Sequence, residues 1–177
     1  RRPGHRDAVA VALHTPRSPN TRTEDVRILL RRQFRYPVYL VQGTPLFLEV
    51  VAGIVEAPES PEDAAAREIA EEAGLSIDVR RVRRLGGPFF PSPGAFTERV
   101  FPCAAEVSAD EIANAHTRYG DGSPMEEGAE LVHLDLGAAL DLLNGSIETT
   151  EAALTLRDAK TEIVLRRLVA ELERGGT

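Results

Sequence analysis

The sequence predicts an α/β fold around a mixed sheet, with an α+β arrangement as the alternative, and three observations carry that expectation. Strand-like runs interleave with helical segments along the chain, the pattern of a layered architecture. One helix, between Ser60 and Gly74, is punctuated at both ends by capping residues. The chain has 177 residues, 42% apolar and 28% charged, enough for one hydrophobic core with little left for a second. A single domain over residues 7–174 follows, preceded by a flexible end at residues 1–6.

Asp7–His14 (DAVAVALH) alternates small apolar residues and reads as a buried strand. Thr15–Thr23, with Pro16, Ser18, Pro19 and Asn20, is a loop by composition. Glu24–Phe34 reads as a second strand whose arginines emerge near its end, and Gly43–Pro45 is a turn before a third strand at Leu46–Val51. In the helix that follows, Ser60 is the cap, Pro61 takes the first helical position, and Glu62 and Asp63 complement the helix dipole. Ala64–Ala73 is rich in helix formers, and Gly74 stops it in the left-handed conformation. Ile77–Leu85 suggests a strand. Gly86–Gly94 must be irregular, because Pro88, Pro91 and Pro93 forbid regular pairing. Arg99–Val107 is a further strand, followed by a long polar stretch through Glu130 and a strand at Leu131–Leu134. Gly137–Leu143 and Thr149–Glu173 read as helices, the second with a stripe of Leu154, Ile163, Val164, Leu165, Leu168 and Leu172.

Charge and composition exclude several classes. The formal net charge is −7, from 28 acidic against 21 basic side chains, which gives nucleic acid no general electrostatic attraction. No apolar run approaches the roughly 20 residues of a membrane span, and no signal-peptide core is visible. The one cysteine, Cys103, excludes an internal disulfide and fits a reducing, cytoplasmic setting; it reads as a small core residue. His5, His14, His116 and His133 lack metal-ligand spacing. Arginines cluster at 27–35 and 80–84, and the second cluster reads as a solvated strand edge or loop.

Glu68, Glu71 and Glu72 stand at i, i+3 and i+4 and share one helix face. Three neighbouring carboxylates repel one another unless a cation joins them. Mg²⁺ is the natural candidate, because it takes hard oxygen ligands and leaves positions for water and phosphate. Ala65, Ala66, Ile69 and Ala73 form a small apolar face opposite, suited to a sheet, which would fix the carboxylates on a rigid element. On composition alone the acidic face would be merely solvated. The residues around it decide otherwise.

From Gly53 the sequence runs through five residues to Glu59, then seven more to Arg67-Glu68-Ile69-Ala70-Glu71-Glu72-Ala73-Gly74-Leu75. This resembles the Nudix box (residues 53–75) at every specified position, a match that chance supplies on the order of 10⁻⁸ per starting point. Beyond the box, Leu48–Gly53, Arg32-Gln33-Phe34-Arg35, Ser92-Pro93-Gly94 with Thr97-Glu98-Arg99, and Asp158-Ala159-Lys160-Thr161 are similar to segments of the ADP-ribose and GDP-mannose pyrophosphatase subfamilies.

The resemblance implies an α/β/α sandwich with a mixed sheet and Mg²⁺-dependent hydrolysis of the pyrophosphate bond of a nucleoside diphosphate sugar, with Mn²⁺ as a substitute metal. It implies that Glu68, Glu72 and Glu71 ligate the metal together with the main-chain carbonyl of Ala52. Arg67 and Glu59 would brace the loop, Gly53 would let the chain turn beside the metal, and Gly74 would close the box helix. Arg35 would contact the diphosphate, with Gly53 and Glu98 on the substrate. The base would come from the loop Met125–Glu130, with Glu127 first, Glu126 and Glu130 behind it, and Glu71 as the fallback. Partners are a small nucleotide and a second copy in a homodimer, with no nucleic acid and no membrane. Members of these subfamilies carry an N-terminal strand module before the core, where this sequence starts almost at the core, and Asn144–Arg157 is longer than their pattern. Hydrolysis of dinucleoside polyphosphates or damaged nucleoside triphosphates, and a non-catalytic binding module, are the alternatives.

Overall fold

A computed structural model of the protein describes residues 7–43, 46–117, 128–145 and 156–175. Within them a seven-stranded sheet runs in the order β3-β2-β1-β6-β5, where β1 is Asp7–His14, β2 Arg27–Phe34, β3 Leu46–Glu49, β5 Val82–Arg84 and β6 Arg99–Glu106. Two further strands lie off this path: β4 (Val51–Ile54) pairs with β1, and β7 (Glu130–Asp135) pairs with β2. Pairing of β1 with β6 is parallel and the other pairings are antiparallel, so the sheet is mixed as expected.

The alternation of β1 sorts the core into two layers. Val9, Val11 and Leu13 face helix α2 (Pro61–Ala73), through Ala64, Ala65, Ile69 and Ala73. Ala10 and Ala12 face the other way, toward α4 (Leu136–Leu143) and α5 (Ala159–Arg174), where Leu136, Val164, Leu165 and Leu168 are buried. Full burial of a side chain such as Ile69 contributes about 1.5–3 kcal/mol. This is the α/β/α sandwich. Helix α2 carries the predicted caps: Ser60 and Asp63 exchange hydrogen bonds in a capping box, and Gly74 ends the helix at φ 67°. Among the described residues no helix is long and apolar enough to cross a membrane.

Several expected boundaries move. The second strand starts only at Arg27, because Thr23–Asp25 forms a 3₁₀ turn. The single strand expected at Leu46–Val51 is two: at Val50 the chain leaves β2 and joins β1, and the Val50 N–H donates to Thr161 Oγ1 at 3.0 Å. The strand expected at Ile77–Leu85 shrinks to β5, after a 3₁₀ turn at Val79–Arg81 that Asp78 caps. The last helix begins at Ala159, where Asp158 accepts from the Thr161 N–H, and residues 156–158 are not helical. Two helices lie outside the expectation. Helix α1 (Tyr36–Gln42) starts with Pro37 in its first turn and stops at Gly43 with φ 70°. Helix α3 (Ala109–Asn114), inside the long polar stretch, has its own capping box from Ser108 and Glu111. Residues 1–6, the loop residues Met125–Glu127, and most of Asn144–Arg157 lie outside the described residues.

Candidate active site

The centre of the site is where β4 meets α2. Glu68 points from the helix onto the strand, and its carboxylate rests against the bare backbone of Gly53. A Cβ added there would lie 1.8 Å from Glu68 Oε1. The glycine is therefore required for space. The expected turn at Gly53 is corrected: the residue lies within a strand, and its φ is not among the positive ones. Glu68 is buried, and burial pushes its carboxyl above the usual carboxylate range despite the opposing ion pair with Arg67.

Arg67 ties the box together. Its Nη2 donates to Glu59 Oε1 at 2.9 Å and to the Ile54 carbonyl at 2.8 Å, while Nη1 donates to Glu68 Oε1 at 2.7 Å and to Glu71 Oε2 at 3.0 Å. The guanidinium so bridges the end of β4, the loop and the helix. Hydrogen bonding from Arg67 also holds the Glu59 carboxyl below its ordinary range. Past the helix, Gly74 is tightly enclosed: a Cβ there would approach the His116 ring to 2.7 Å, and the His116 N–H donates to the Ala73 carbonyl at 3.1 Å.

Glu72 has a partner that the sequence reading missed. One of its oxygens accepts from the Ala52 N–H at 3.2 Å, and the other accepts from Nη1 of Arg31, a side chain only 1% exposed. The same Nη1 donates to Gln33 Oε1 at 2.9 Å. The signal was available in β2. Leu29, Arg31 and Gln33 share the strand face that covers α2, so an arginine there needs a buried acid.

A second group of charges borders the first. Arg35 donates to Glu49 through Nε and Nη2, at 2.6 Å for each, and Lys160 Nζ lies 3.8 Å from the same carboxylate. Lys160 also donates to Asp158 Oδ1 at 2.8 Å; burial raises the Asp158 carboxyl, but Lys160 and Thr161 outweigh it and leave the group below its ordinary range. Asp158 and Lys160 line a cavity of about 510 Å³ with Ser92, Phe96, Thr97 and Glu98. A larger groove of about 750 Å³ belongs to the far end of the sheet, at Arg17, Arg83, Glu106 and Glu171, away from the box. Of the candidate bases, Glu130 is paired with Arg32 across β7 and β2, while Glu126 and Glu127 are outside the described residues.

The chain is similar to several known proteins. The NUDIX domain family profile matches residues 5–143. An ADP-ribose pyrophosphatase of Escherichia coli (strain K12) is 40% identical over 89 residues, which make up 50% of this chain and 41% of that protein. The chain thus spans less than half the length of that relative. A GDP-mannose pyrophosphatase of Yersinia enterocolitica is 32% identical over 142 residues, covering 78% of this chain and 69% of that protein. The fold is that of the crystal structure of an ADP compounds hydrolase, with a TM-score of 0.68 at 19% identity, covering 99% of this chain and 77% of that one. With the family profile matching most of its length and the box residues assembled around Arg67, this chain belongs to the Nudix family.

Proposed function

We propose that the chain is a Mg²⁺-dependent pyrophosphohydrolase that splits a nucleoside diphosphate sugar into a nucleoside monophosphate and a sugar phosphate. One observation carries this reading. Glu68 is seated in the space left by Gly53 and braced by Arg67, beside a Glu72 carboxylate fixed on the Ala52 main chain. The donors suit a hard cation in kind, because they are all oxygen and stand on a helix and a strand; the three carboxylates, each paired with an arginine here, would have to converge on it. Glu68, Glu72, Glu71 and the Ala52 carbonyl would hold Mg²⁺, or Mn²⁺ in its place. When bound, the ion neutralises diphosphate charge and acidifies water.

The chain's own groups supply the rest. Arg35, oriented by Glu49, offers the free edge of its planar guanidinium to the phosphate oxygens, with Gly53, whose bare backbone seats Glu68, beside the diphosphate. Glu98 and Lys160 line the neighbouring cavity and take the sugar hydroxyls. Glu127 takes the proton from the attacking water, with Glu126, Glu130 and then Glu71 as alternatives. The names of the relatives at 40% and 32% identity support a nucleotide sugar as substrate. A cytoplasmic enzyme that does not act on nucleic acid completes the proposal, supported by the net charge of −7 and the single cysteine, with a homodimer suggested by the subfamily resemblance alone.

The test is a substrate panel of ADP-ribose, ADP-glucose, GDP-mannose and UDP-glucose with Mg²⁺, with products identified by chromatography. Nucleoside triphosphates cleaved with much higher kcat/KM than any of the four would overturn the substrate class.

A further inference from the structure

Arg31 is among the largest fully buried side chains of the protein. A guanidinium in that position must be paired, and Glu72 of the box is one of its partners. Arg67 meets Glu68 and Glu71 from the other side, so all three box carboxylates face guanidinium groups. Held on these arginines, the box carboxylates are not yet gathered as a metal-ligand cluster among the described residues.

The geometry points to Arg31 as a resident counter-charge that holds Glu72 before a divalent cation arrives and then competes with that cation for the carboxylate. This rests on the metal-dependent reading above. Arg31 is a positioning residue that sets metal affinity. The Glu72 oxygen that accepts from Arg31 must be shared when a second cation approaches, and carboxylate oxygens have lone pairs enough for sharing. A guanidinium is a permanent charge, so it does not step aside by losing a proton. Two positive groups a few ångströms apart then repel, and repulsion is strong in a poorly hydrated site. Gln33 fixes the guanidinium from the same strand face, so Arg31 cannot swing away without breaking that bond as well.

Removing the charge at position 31 therefore has two opposite effects. The metal-free protein loses a charged partner of a buried carboxylate and is destabilised. The metal-bound protein loses a competitor, and affinity rises by on the order of tenfold or more. An arginine with a merely structural role gives the reverse sign: its loss loosens the site and weakens metal binding.

The experiment measures Mn²⁺ affinity by calorimetry and by the free-Mn²⁺ spin-resonance signal, and melting temperature with EDTA or with Mn²⁺. The proteins compared are the wild type, Arg31→Met, Arg31→Gln and Arg31→Lys. Both neutral variants are expected to melt below wild type in EDTA, to bind Mn²⁺ about tenfold tighter, and to gain more melting temperature from Mn²⁺ than wild type does. Arg31→Lys, which keeps the charge, stays near wild type in affinity. A neutral variant that folds only in Mn²⁺ supports the proposal in the same way. Equal or weaker Mn²⁺ binding by the neutral variants, with normal binding by wild type, overturns this proposal alone. Wild type that binds no Mn²⁺ overturns it together with the metal-dependent reading.

Discussion

Gly53 and Glu68 compete for the same space: a methyl group on the glycine would lie 1.8 Å from the glutamate's Oε1. No rotation of the methyl relieves this, so the carboxylate or the strand has to move. Gly53→Ala should lower the melting temperature, at a cost of about 1–3 kcal/mol for overpacking a tight site. It should also lower kcat by orders of magnitude, because the displaced group is a proposed ligand. Gly87→Ala is the control, since nothing lies within 4 Å of an added Cβ there and its φ is unexceptional. Thermal melts and turnover on the two variants check the contrast, and equal behaviour removes the cradle.

Replacing Glu68 or Glu72 by Gln keeps the size and removes the charge. Turnover in Mg²⁺ should fall by orders of magnitude in each variant, with Mn²⁺ affinity measured alongside. Near-normal kcat in either would take that residue out of the site.

The Arg67–Glu59 pair predicts a pH effect with a definite sign. The Glu59 carboxyl is held below its free value of 4.5, chiefly by hydrogen bonds from Arg67. A depressed acid contributes stability that is present above the unfolded value and is lost as pH falls through the folded one. Wild type should therefore melt above Glu59→Gln at neutral pH, and the gap should narrow as pH drops below 4.5. A gap that stays constant through the acid range would remove this pair as the brace.

The base is tested by Glu127→Gln, which should lower kcat by roughly 10²–10⁴ while Mn²⁺ affinity and KM stay near wild type. The acid limb of the pH–rate profile should flatten in the same variant. Loss of kcat in Glu126→Gln or Glu130→Gln instead keeps the loop and changes the residue. Glu130 starts from an ion pair with Arg32, which would have to open first. Full kcat in all three moves the assignment to Glu71.

The parts of this fold that could be read from sequence are those set by neighbours in the chain. The α2 helix is such a case, since Ser60, Pro61, Asp63 and Gly74 fix its ends within one turn of themselves. The capping box of Ser108 and Glu111 is equally local, although the polar stretch around it masks the signal. The split of one expected strand at Val50 is different. Its cause is Thr161, 111 residues away, and no local pattern encodes that partner. The same holds at the site. Glu68, Glu71 and Glu72 were visible through helical spacing, whereas Arg31 meets Glu72 across 41 residues of sequence. Its one local trace was a charge on the apolar face of a strand.

The Val50 crossover has a mechanical side. Residues 49–53 touch everything that matters here in turn: Glu49 meets Arg35 and Lys160, Val50 meets Thr161, Ala52 meets Glu72, and Gly53 meets Glu68. The cavity side and the carboxylate side are thus strung on one rail of at most about 14 Å of backbone. With so short a span, and an anchor from α5 at Val50, next to its start, a shift of the α5 N-terminus would be passed along covalent bonds to the residues that seat the two buried box glutamates.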